Sequence, residues 1–291
     1  MRFHHAESMT PFENLLPLAQ DAEAHGYSGY MIPDSLIYPK ETDSKYTYTA
    51  DGGREFLENK PFIESFILAT AMGAVTTTLE ITTNVVKLPV RPPLYSAKMA
   101  ASIAALTNNR FNFGVGLSVW EEDYVAMGVP FAKRGKRFDE CLAIVRGLTD
   151  GGYFGFKGEF YDLPEVKINP VPTRPLPILI GGHSEPALKR AAGYDGWIGA
   201  GGTVDQVKAM IDVVQAERQE RGTAGRPFRI FTTAHGSMLS LDDVRRFEDA
   251  GVTDISVAFR NLYAVEEDRQ PLEEKKADLR RFADEVIARA G

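Results

Sequence analysis

The feature that most constrains the fold of this chain is a regular alternation between short strand-like runs and longer helical patterns. Each run of apolar or β-branched residues is followed by a stretch with helical periodicity, and capping residues or Gly/Pro breaks mark the change. The eight strand candidates are residues 2–7, 27–32, 79–86, 111–117, 177–182, 196–200, 228–235 and 253–259.

Eight strand–helix units in a chain of 291 residues are the number that builds a (β/α)8, or TIM, barrel. We therefore predict an α/β fold with one barrel domain over residues 1–291. The alternative is an open, doubly wound parallel sheet, in which a glycine-rich turn usually follows the first strand. Here the first strand runs into His4, His5 and Glu7 instead, which favours the closed barrel.

Two longer segments interrupt the alternation. Residues 36–60 follow the second strand and are polar, with Tyr38, Tyr46 and Tyr48. Residues 153–166 precede the fifth strand and have the pattern of a β-hairpin with its turn at 155–158. Long loops in a compact domain tend to be lids or binding loops, so we expect residues 36–60 to form part of the active-site wall.

Serine and threonine residues mark several predicted helix starts. Thr10 with Glu13 and Thr203 with Gln206 have the spacing of a capping box, and Ser240 precedes another helical stretch. These positions predict helices that begin directly after Thr10, Thr203 and Ser240.

Composition excludes several classes of partner and site. The formal net charge is −7, with acidic and basic residues interspersed, so we expect no nucleic-acid partner. No apolar run has the length of a membrane span, and the N-terminus lacks the apolar core of a signal peptide; we therefore expect a cytoplasmic protein without membrane association. The single cysteine, Cys141, excludes an internal disulfide and lies on an apolar helical face, where it is predicted to fill the core.

Barrel enzymes carry their chemistry on residues at the C-terminal ends of the strands and in the loops that follow. That rule selects four candidates for proton transfer, namely His4, His5, Glu7 and His183. It also places several residues at the same edge, where a bound ligand would lie, namely Asp34, Asn84, Val85, Glu122, Gly181, Gly182, Ser184, Gly199 and Ala200.

The glycines after the fifth and sixth strands suggest a phosphate site. Gly181 and Gly182 allow a ligand to approach the backbone, and Ser184 can cap the next helix so that free amides face an anion. Gly199 and Ala200 lie in a second flexible turn. A phosphorylated cofactor or substrate fits this pattern, and the alternative is a tight turn followed by an ordinary helix cap.

A catalytic metal is not predicted. The five histidines are scattered, none forms an i, i+4 pair on a helix, and no carboxylate-rich run supplies an oxygen cage. A site assembled in space from His5, Glu7, His183 and His235 stays open at this point. The Gly-x-Ser-x-Gly motif of serine hydrolases is missing from the sequence.

Five blocks of sequence occur in the order of a known family. They are AHGY at 24–27 with Pro33 and Asp34; TTNV at 82–85 with RPP at 91–93; NRFNFGVG at 109–116; YVAMGVPF at 124–131 with Arg134 and RFDE at 137–140; and PILIGGHS at 177–184 with AAGYDGW at 191–197. Together they resemble the luciferase-like oxidoreductases that depend on a flavin or on the deazaflavin F420, over nearly the whole chain.

The resemblance implies roles for several residues. Asp34 would lie beside the ring of the cofactor, and Glu122 falls near a position that faces the ring. The bond between Asn84 and Val85 matches a non-proline cis peptide that supports the ring in many members, whereas the β-branched residues before it would by themselves predict a plain strand. Three further residues match contacts with the cofactor's phosphate arm, namely Gly181, Gly182 and Ser184.

Two departures from the family pattern bear on the cofactor. Luciferases carry an arginine for the flavin phosphate where this chain has Leu117, which argues against FMN bound in that way. Many F420-dependent members have a histidine directly after the second-strand aspartate, where this chain has Ser35; this disfavours the sugar-phosphate dehydrogenase branch. We favour F420 over FMN.

The resemblance implies hydride transfer between F420 and a small organic substrate that enters over the ring. One alternative is an FMN-dependent monooxygenase that needs a separate reductase. Another is a protein that binds a flavin or deazaflavin without turnover, because the motifs describe binding rather than catalysis. We also expect a homodimer.

Overall fold

The structure is a computed structural model that describes residues 1–46, 49 and 51–290. Its strands are β1 (Arg2–His5), β2 (Gly29–Ile32), β3 (Glu80–Thr83), β4 (Val86–Lys87), β5 (Phe111–Gly116), β6 (Phe154–Lys157), β7 (Asp162–Val166), β8 (Ile178–Gly181), β9 (Gly196–Ile198), β10 (Arg229–His235) and β11 (Asp254–Ala258). Its helices are α1 (Leu15–Ala24), α2 (Ser65–Val75), α3 (Pro93–Leu106), α4 (Glu121–Ala126), α5 (Arg134–Thr149), α6 (Glu185–Ala191), α7 (Val204–Glu220), α8 (Leu241–Asp249) and α9 (Leu272–Glu285).

The parallel strands close into a cylinder. Around the ring the order is β3, β2, β1, β11, β10, β9, β8, β5, and β3 pairs again with β5. Arg2 lies opposite Asp254, and Ile81 lies opposite Phe111. Over the described residues this is a closed eight-stranded parallel barrel with helices between the strands, so the barrel prediction is confirmed and the open sheet is excluded.

The third strand is interrupted where it reaches the mouth of the barrel. β3 ends at Thr83 and the chain resumes as β4, whose Val86 lies opposite Val115 of β5. The predicted strand 79–86 is therefore two short strands, separated by Asn84 and Val85. This break places both residues at the C-terminal edge of the barrel.

The helix starts follow the predicted caps in two of three cases. Thr203 with Gln206 forms a capping box at α7, and Ser240 with Asp243 forms one at α8. The capping box at Thr10 is wrong: a 3-10 turn follows it, and α1 begins only at Leu15 without a side-chain cap. The side-chain Nδ2 of Asn14 donates to the Thr10 hydroxyl at 3.5 Å. This oxygen therefore binds a side chain rather than the backbone amides that a cap requires.

The core lies between the barrel and its helices. Phe111, Phe138 and Trp197 are among the largest fully buried side chains. Cys141 is buried as predicted, its thiol lies 3.4 Å from the Tyr161 hydroxyl, and burial raises its pKa to about 11. A thiol with this pKa stays protonated near neutral pH, which fits a packing role.

The two insertions contain different secondary structure. The second is a hairpin of β6 and β7 as predicted, but its turn lies at 158–161 rather than 155–158, because the carboxylate of Glu140 accepts hydrogen bonds from the amides of Glu159, Phe160 and Tyr161. The described part of 36–60 contains a 3-10 turn at Glu55–Leu57. Tyr48 lies outside the described residues.

None of the helices in the described residues is long and apolar enough to cross a membrane.

Candidate functional site

A cavity of about 260 Å³ opens at the C-terminal ends of the barrel strands. Residues from the loops after β1, β2, β5 and β11 line its walls, and the break between β3 and β4 and the ends of β8 and β9 form its floor. Six of the predicted cofactor-binding residues line it, namely Asp34, Asn84, Val85, Gly181, Gly182 and Ala200. The strand-end rule therefore selected residues that line a cavity at this edge of the barrel.

The floor of the cavity is built around the bond between Asn84 and Val85, which is cis as predicted. The side chain of Val85 packs on two glycines. A Cβ atom on Gly116 would lie 2.6 Å from Val85 Cγ2, and one on Gly181 would lie 2.8 Å from Val85 Cγ1. Both distances are too short for real carbon contacts, so only glycine at these positions admits Val85 here. Met31 and Ile198 also line the cavity and continue this apolar surface.

Asp34 lies at the cavity wall, but its carboxylate is engaged within the protein. It accepts two hydrogen bonds from the guanidinium of Arg91, at 2.7 and 2.8 Å, and one from the Lys87 backbone amide at 2.9 Å. Ser65 Oγ donates a further bond at 2.8 Å. The carboxylate thus fixes the chain just after the cis bond. Arg91 was missed as a site residue, although it lies in a motif that carried the family resemblance.

A second ion pair lies at the same wall and was also missed. Lys87 Nζ is 2.7 Å from Asp123 Oδ2, and the Ser118 hydroxyl donates to the same oxygen. Two of the described residues that line the cavity have a charged side chain, Asp34 and Lys87. Because each has a buried partner of opposite charge, the cavity presents no uncompensated charge from these residues.

The loops after β8 and β9 meet beside the floor. Gly182 has a φ of +123°, a conformation that favours glycine. Its carbonyl accepts a hydrogen bond from Trp197 Nε1 at 2.8 Å, and the Ala200 amide donates to His183 Nε2 at 2.7 Å. These bonds hold the two loops together, as expected for a shared binding edge.

Ser184, Gly199 and His183 lie just behind this edge and do not line the cavity. Ser184 is exposed at the start of α6, and its side chain makes no capping hydrogen bond, contrary to prediction. Burial lowers the pKa of His183, which keeps the imidazole neutral near pH 7 and suits its role as acceptor of the Ala200 amide.

His4 and His5 do not reach the cavity, so the structure does not support either as a proton relay. His4 is fully buried in the barrel, and its Nε2 lies 2.7 Å from Asp254, the first residue of β11. His5 points to the opposite face of β1, with its ring 5.0 Å from that of Tyr30. Burial and the nearby Lys275 lower the pKa of His5 to about 3. The alternation of side chains along a strand explains why these neighbours face opposite ways.

Glu7 does not line the cavity either. Its carboxylate lies 2.8 Å from Arg260 Nε and 3.3 Å from Lys275 Nζ. Lys275 is itself 2.7 Å from Asp268. This buried network ties the β1 loop to the β11 loop, so Glu7 supports the mouth of the barrel and is not placed to transfer a proton within it.

Glu122 faces the insertion rather than the cavity. Its carboxylate accepts a hydrogen bond from Ser44 Oγ at 3.2 Å. Burial acts to raise the pKa of Glu122, but hydrogen bonds from Thr42 and Ser44 and the charge of Arg54 lower it overall. Glu122 thus does not line the cavity and instead links Ser44 to α4; its place near the ring stays a prediction.

No group of three His, Cys, Asp or Glu side chains within the described residues is arranged to hold a metal ion. The open possibility of a site from His5, Glu7, His183 and His235 is thus not realised among them.

Four aromatic residues from three different loops line the cavity, and we call them the aromatic wall. They are Tyr46, Phe56, Trp120 and Tyr263. The ring centroids of Phe56 and Tyr263 are 5.1 Å apart, those of Tyr46 and Phe56 are 5.2 Å apart, and those of Tyr46 and Trp120 are 6.0 Å apart. The wall joins the loops after β2, β5 and β11. Tyr46 lies in the segment 36–60 that was predicted to form part of the active-site wall, but contacts between three distant loops have no local signal in the sequence.

Known proteins resemble this chain in sequence and in structure. The family model described as luciferase-like monooxygenase matches residues 2–286. An uncharacterised protein of Mycobacterium tuberculosis is 54% identical over 289 residues, which cover 99% of this chain and 100% of that protein.

Three solved structures share the fold. Monooxygenase RslO1 from Streptomyces bottropensis has a TM-score of 0.80 at 16% identity, with 100% of both chains covered. An F420-dependent secondary alcohol dehydrogenase in complex with an F420–acetone adduct has a TM-score of 0.76 at 13% identity, covering 99% of this chain and 98% of that one.

The third is the oxygenating constituent of 3,6-diketocamphane monooxygenase from Pseudomonas putida, in complex with FMN, with a TM-score of 0.61 at 15% identity, covering 81% of this chain and 67% of that one. At these identities the likeness concerns the fold, and the match of the family model over residues 2–286 gives the affiliation. The chain belongs to the luciferase-like monooxygenase family.

Proposed function

We propose that this protein is an oxidoreductase that binds F420 in the cavity at the barrel mouth and exchanges a hydride with a small organic substrate. The observation that carries the proposal is the floor in which the side chain of Val85 is seated on Gly116 and Gly181, both of which must be glycine to admit it. This arrangement offers a planar ring a flat, apolar support at the end of the strands, where barrel enzymes hold their reactive groups.

The residues around the floor suit the remaining parts of such a cofactor. Gly181, Gly182 and Ala200 bring backbone close to the cavity, and these three positions would hold the phosphate arm. Ser184, just behind them, keeps its hydroxyl free of a helix cap and could reach the outer end of that arm. When bound, F420 supplies the ring carbon that gives or takes the hydride, and the protein orients the ring and excludes water.

The charges of the cavity favour F420 over FMN. A phosphate monoester such as that of FMN carries close to two negative charges at pH 7, whereas the phosphodiester of F420 carries one. Among the described lining residues Lys87 is the cation, and Asp123 already neutralises it. Leu117 lines the cavity where luciferases carry an arginine. At the phosphate itself, a site without a free cation is better matched to the single charge of the diester, and the carboxylates of the F420 tail would lie beyond the cavity.

A turnover assay tests the catalytic part of the proposal. The protein is incubated with reduced F420 and a panel of small ketones, aldehydes and enones, or with oxidised F420 and the corresponding alcohols, while the visible band of the deazaflavin is followed. We expect one substrate class to change that band catalytically. Activity found only with FMN, a reductase and oxygen would establish a monooxygenase instead, and tight binding of F420 without turnover across the panel would establish a sequestering protein.

A further inference from the structure

The aromatic wall and the floor enclose the space through which a substrate reaches the ring, and its lining has a definite chemical character. On one side lie Phe56, which is 3% exposed, and Trp120, which is 6% exposed. Tyr263 is 42% exposed and forms the outer end of the wall. Phe62 and Leu262 extend the same surface. A substrate held against this wall therefore contacts mainly aromatic and aliphatic carbons on that side.

The wall is held in place by contacts outside the cavity. Lys60 Nζ donates to the carbonyl of Val265 at 3.0 Å and to that of Glu266, which joins the insertion to the β11 loop. The guanidinium of Arg54 lies 4.6 Å from the ring centre of Tyr38 and 5.6 Å from that of Trp120. These contacts place the rings before a ligand arrives, so binding between them needs little reorganisation.

The charges at the cavity also favour an uncharged ligand. Asp34 is neutralised by Arg91 and Lys87 by Asp123, and the side chains of Arg91 and Lys87 are 8% and 12% exposed. An anionic or cationic substrate would lose its hydration here without gaining an opposite charge from these pairs. Flat rings on one side instead favour a ligand with its own π face, since aromatic pairs attract beyond the area they bury.

We propose that the substrate of this site is an uncharged compound with an aromatic ring, held between the aromatic wall and the bound cofactor. The inference rests on the proposed function for the position of the cofactor, and it deepens that function by naming the substrate class. It excludes sugar phosphates, carboxylates and ammonium compounds as the main substrates.

Binding of three closely matched probes tests the inference. Acetophenone is an uncharged aryl ketone, benzoate is its anionic near-isostere, and cyclohexyl methyl ketone lacks the aromatic ring. Each is titrated by ligand-observed NMR into the protein without cofactor and into the protein loaded with F420. The same preparations are titrated with F420, so that cofactor binding is measured independently.

Variants of Tyr263 connect the result to the wall. Tyr263→Leu removes the ring, Tyr263→Phe keeps it, and Tyr153→Leu removes a ring that is 71% exposed on the hairpin, outside the cavity. Tyr263 is itself partly exposed, so these variants are expected to fold, and thermal melts verify this.

We expect acetophenone to bind roughly tenfold more tightly than benzoate and about three- to tenfold more tightly than the cyclohexyl ketone. Tyr263→Leu should weaken acetophenone binding about three- to tenfold, while Tyr263→Phe and Tyr153→Leu leave it within twofold. Benzoate binding as tightly as acetophenone, or an unchanged affinity in Tyr263→Leu, would overturn the inference. If F420 binds but acetophenone does not, the substrate class is wrong and the cofactor assignment stands. If acetophenone follows the expected order without F420 binding, the proposed function fails and the ligand class stands.

Discussion

At the scale of single residues, the site depends on positions where a side chain is either absent or fully engaged. Gly116 and Gly181 make room for Val85, and Gly182 adopts a φ of +123° at the edge where the phosphate arm is proposed to lie. Asp34 and Arg91 bind each other and leave no free charge. The cavity is thus shaped by backbone and by internal pairing, which makes it sensitive to small changes at these positions.

The first prediction concerns Gly182→Asp, compared with Gly182→Ala. Both variants place a side chain on a residue with a positive φ, and both place a Cβ about 3.0 Å from that of Ala187. They should therefore lose similar amounts of stability. The aspartate alone adds a negative charge beside the proposed phosphate arm. We expect Gly182→Asp to bind F420 at least about tenfold more weakly than Gly182→Ala, because like charges a few Å apart repel by more than 1 kcal/mol. Equal affinities in the two variants would remove the phosphate arm from this edge.

The second prediction concerns Asp34→Asn, which leaves the guanidinium of Arg91 buried with Glu64 at 3.5 Å as its remaining acidic partner. Breaking a buried ion pair from one side typically lowers the free energy of unfolding by about 3–5 kcal/mol. Denaturant unfolding measures this loss. The control is Asp242→Asn, which breaks an exposed pair with Arg245 and should leave the unfolding midpoint essentially unchanged. A loss in Asp34→Asn no larger than in the control would mean that Asp34 does not hold the segment after the cis bond.

At the scale of elements, a carboxylate on a helix can bind the backbone amides of a loop or turn next to a strand. Glu23 near the end of α1 accepts hydrogen bonds from the backbone amides of Thr77 at 2.8 Å, Thr78 at 2.5 Å and Leu79 at 2.9 Å, directly before β3. One carboxylate thus satisfies three amides of the loop that leads into the strand carrying the cis bond. Glu140 does the same for the hairpin turn.

The third prediction follows from the charge of Glu23. Burial acts to raise its pKa, but the amides of Thr78, Leu79 and Thr77 lower it overall from 4.5 to about 2. Since the carboxylate ionises more readily in the folded state, its contribution to stability is fully present above pH 4.5 and is lost as the pH falls towards 2. The difference in unfolding free energy between the parent and Glu23→Gln should therefore shrink across that window. Urea unfolding at several pH values measures it, with Glu13→Gln at an exposed position as control; a constant difference would contradict the assignment.

At the scale of the whole molecule, the sequence predicts the barrel better than it predicts the site. Periodicity and caps are local signals, and they located the strands of the ring and the starts of α7 and α8. The direction of a side chain at a strand end is not local. His4 and His5 are adjacent in sequence, yet one faces the barrel interior and the other the helices, and neither reaches the cavity.

The aromatic wall is a second feature that local sequence patterns do not predict. Phe56, Trp120 and Tyr263 come from loops that are far apart in the chain, so no spacing rule links them. The cis bond at Asn84 was predictable only through the family resemblance, because the residues before it have the composition of a plain strand. Local physics thus specifies the scaffold, while the chemistry of the mouth arises from how closure of the barrel brings loops together.

The most direct test of the account is a side-by-side titration of the cofactor-free protein with F420 and with FMN, followed by absorbance and calorimetry under the same conditions. The cavity offers a flat apolar floor and no unpaired lining cation among the described residues. We therefore predict saturable binding of F420 with a Kd at least about tenfold lower than that of FMN, a difference of about 1.4 kcal/mol. FMN binding as tightly as F420, or more tightly, would contradict the account.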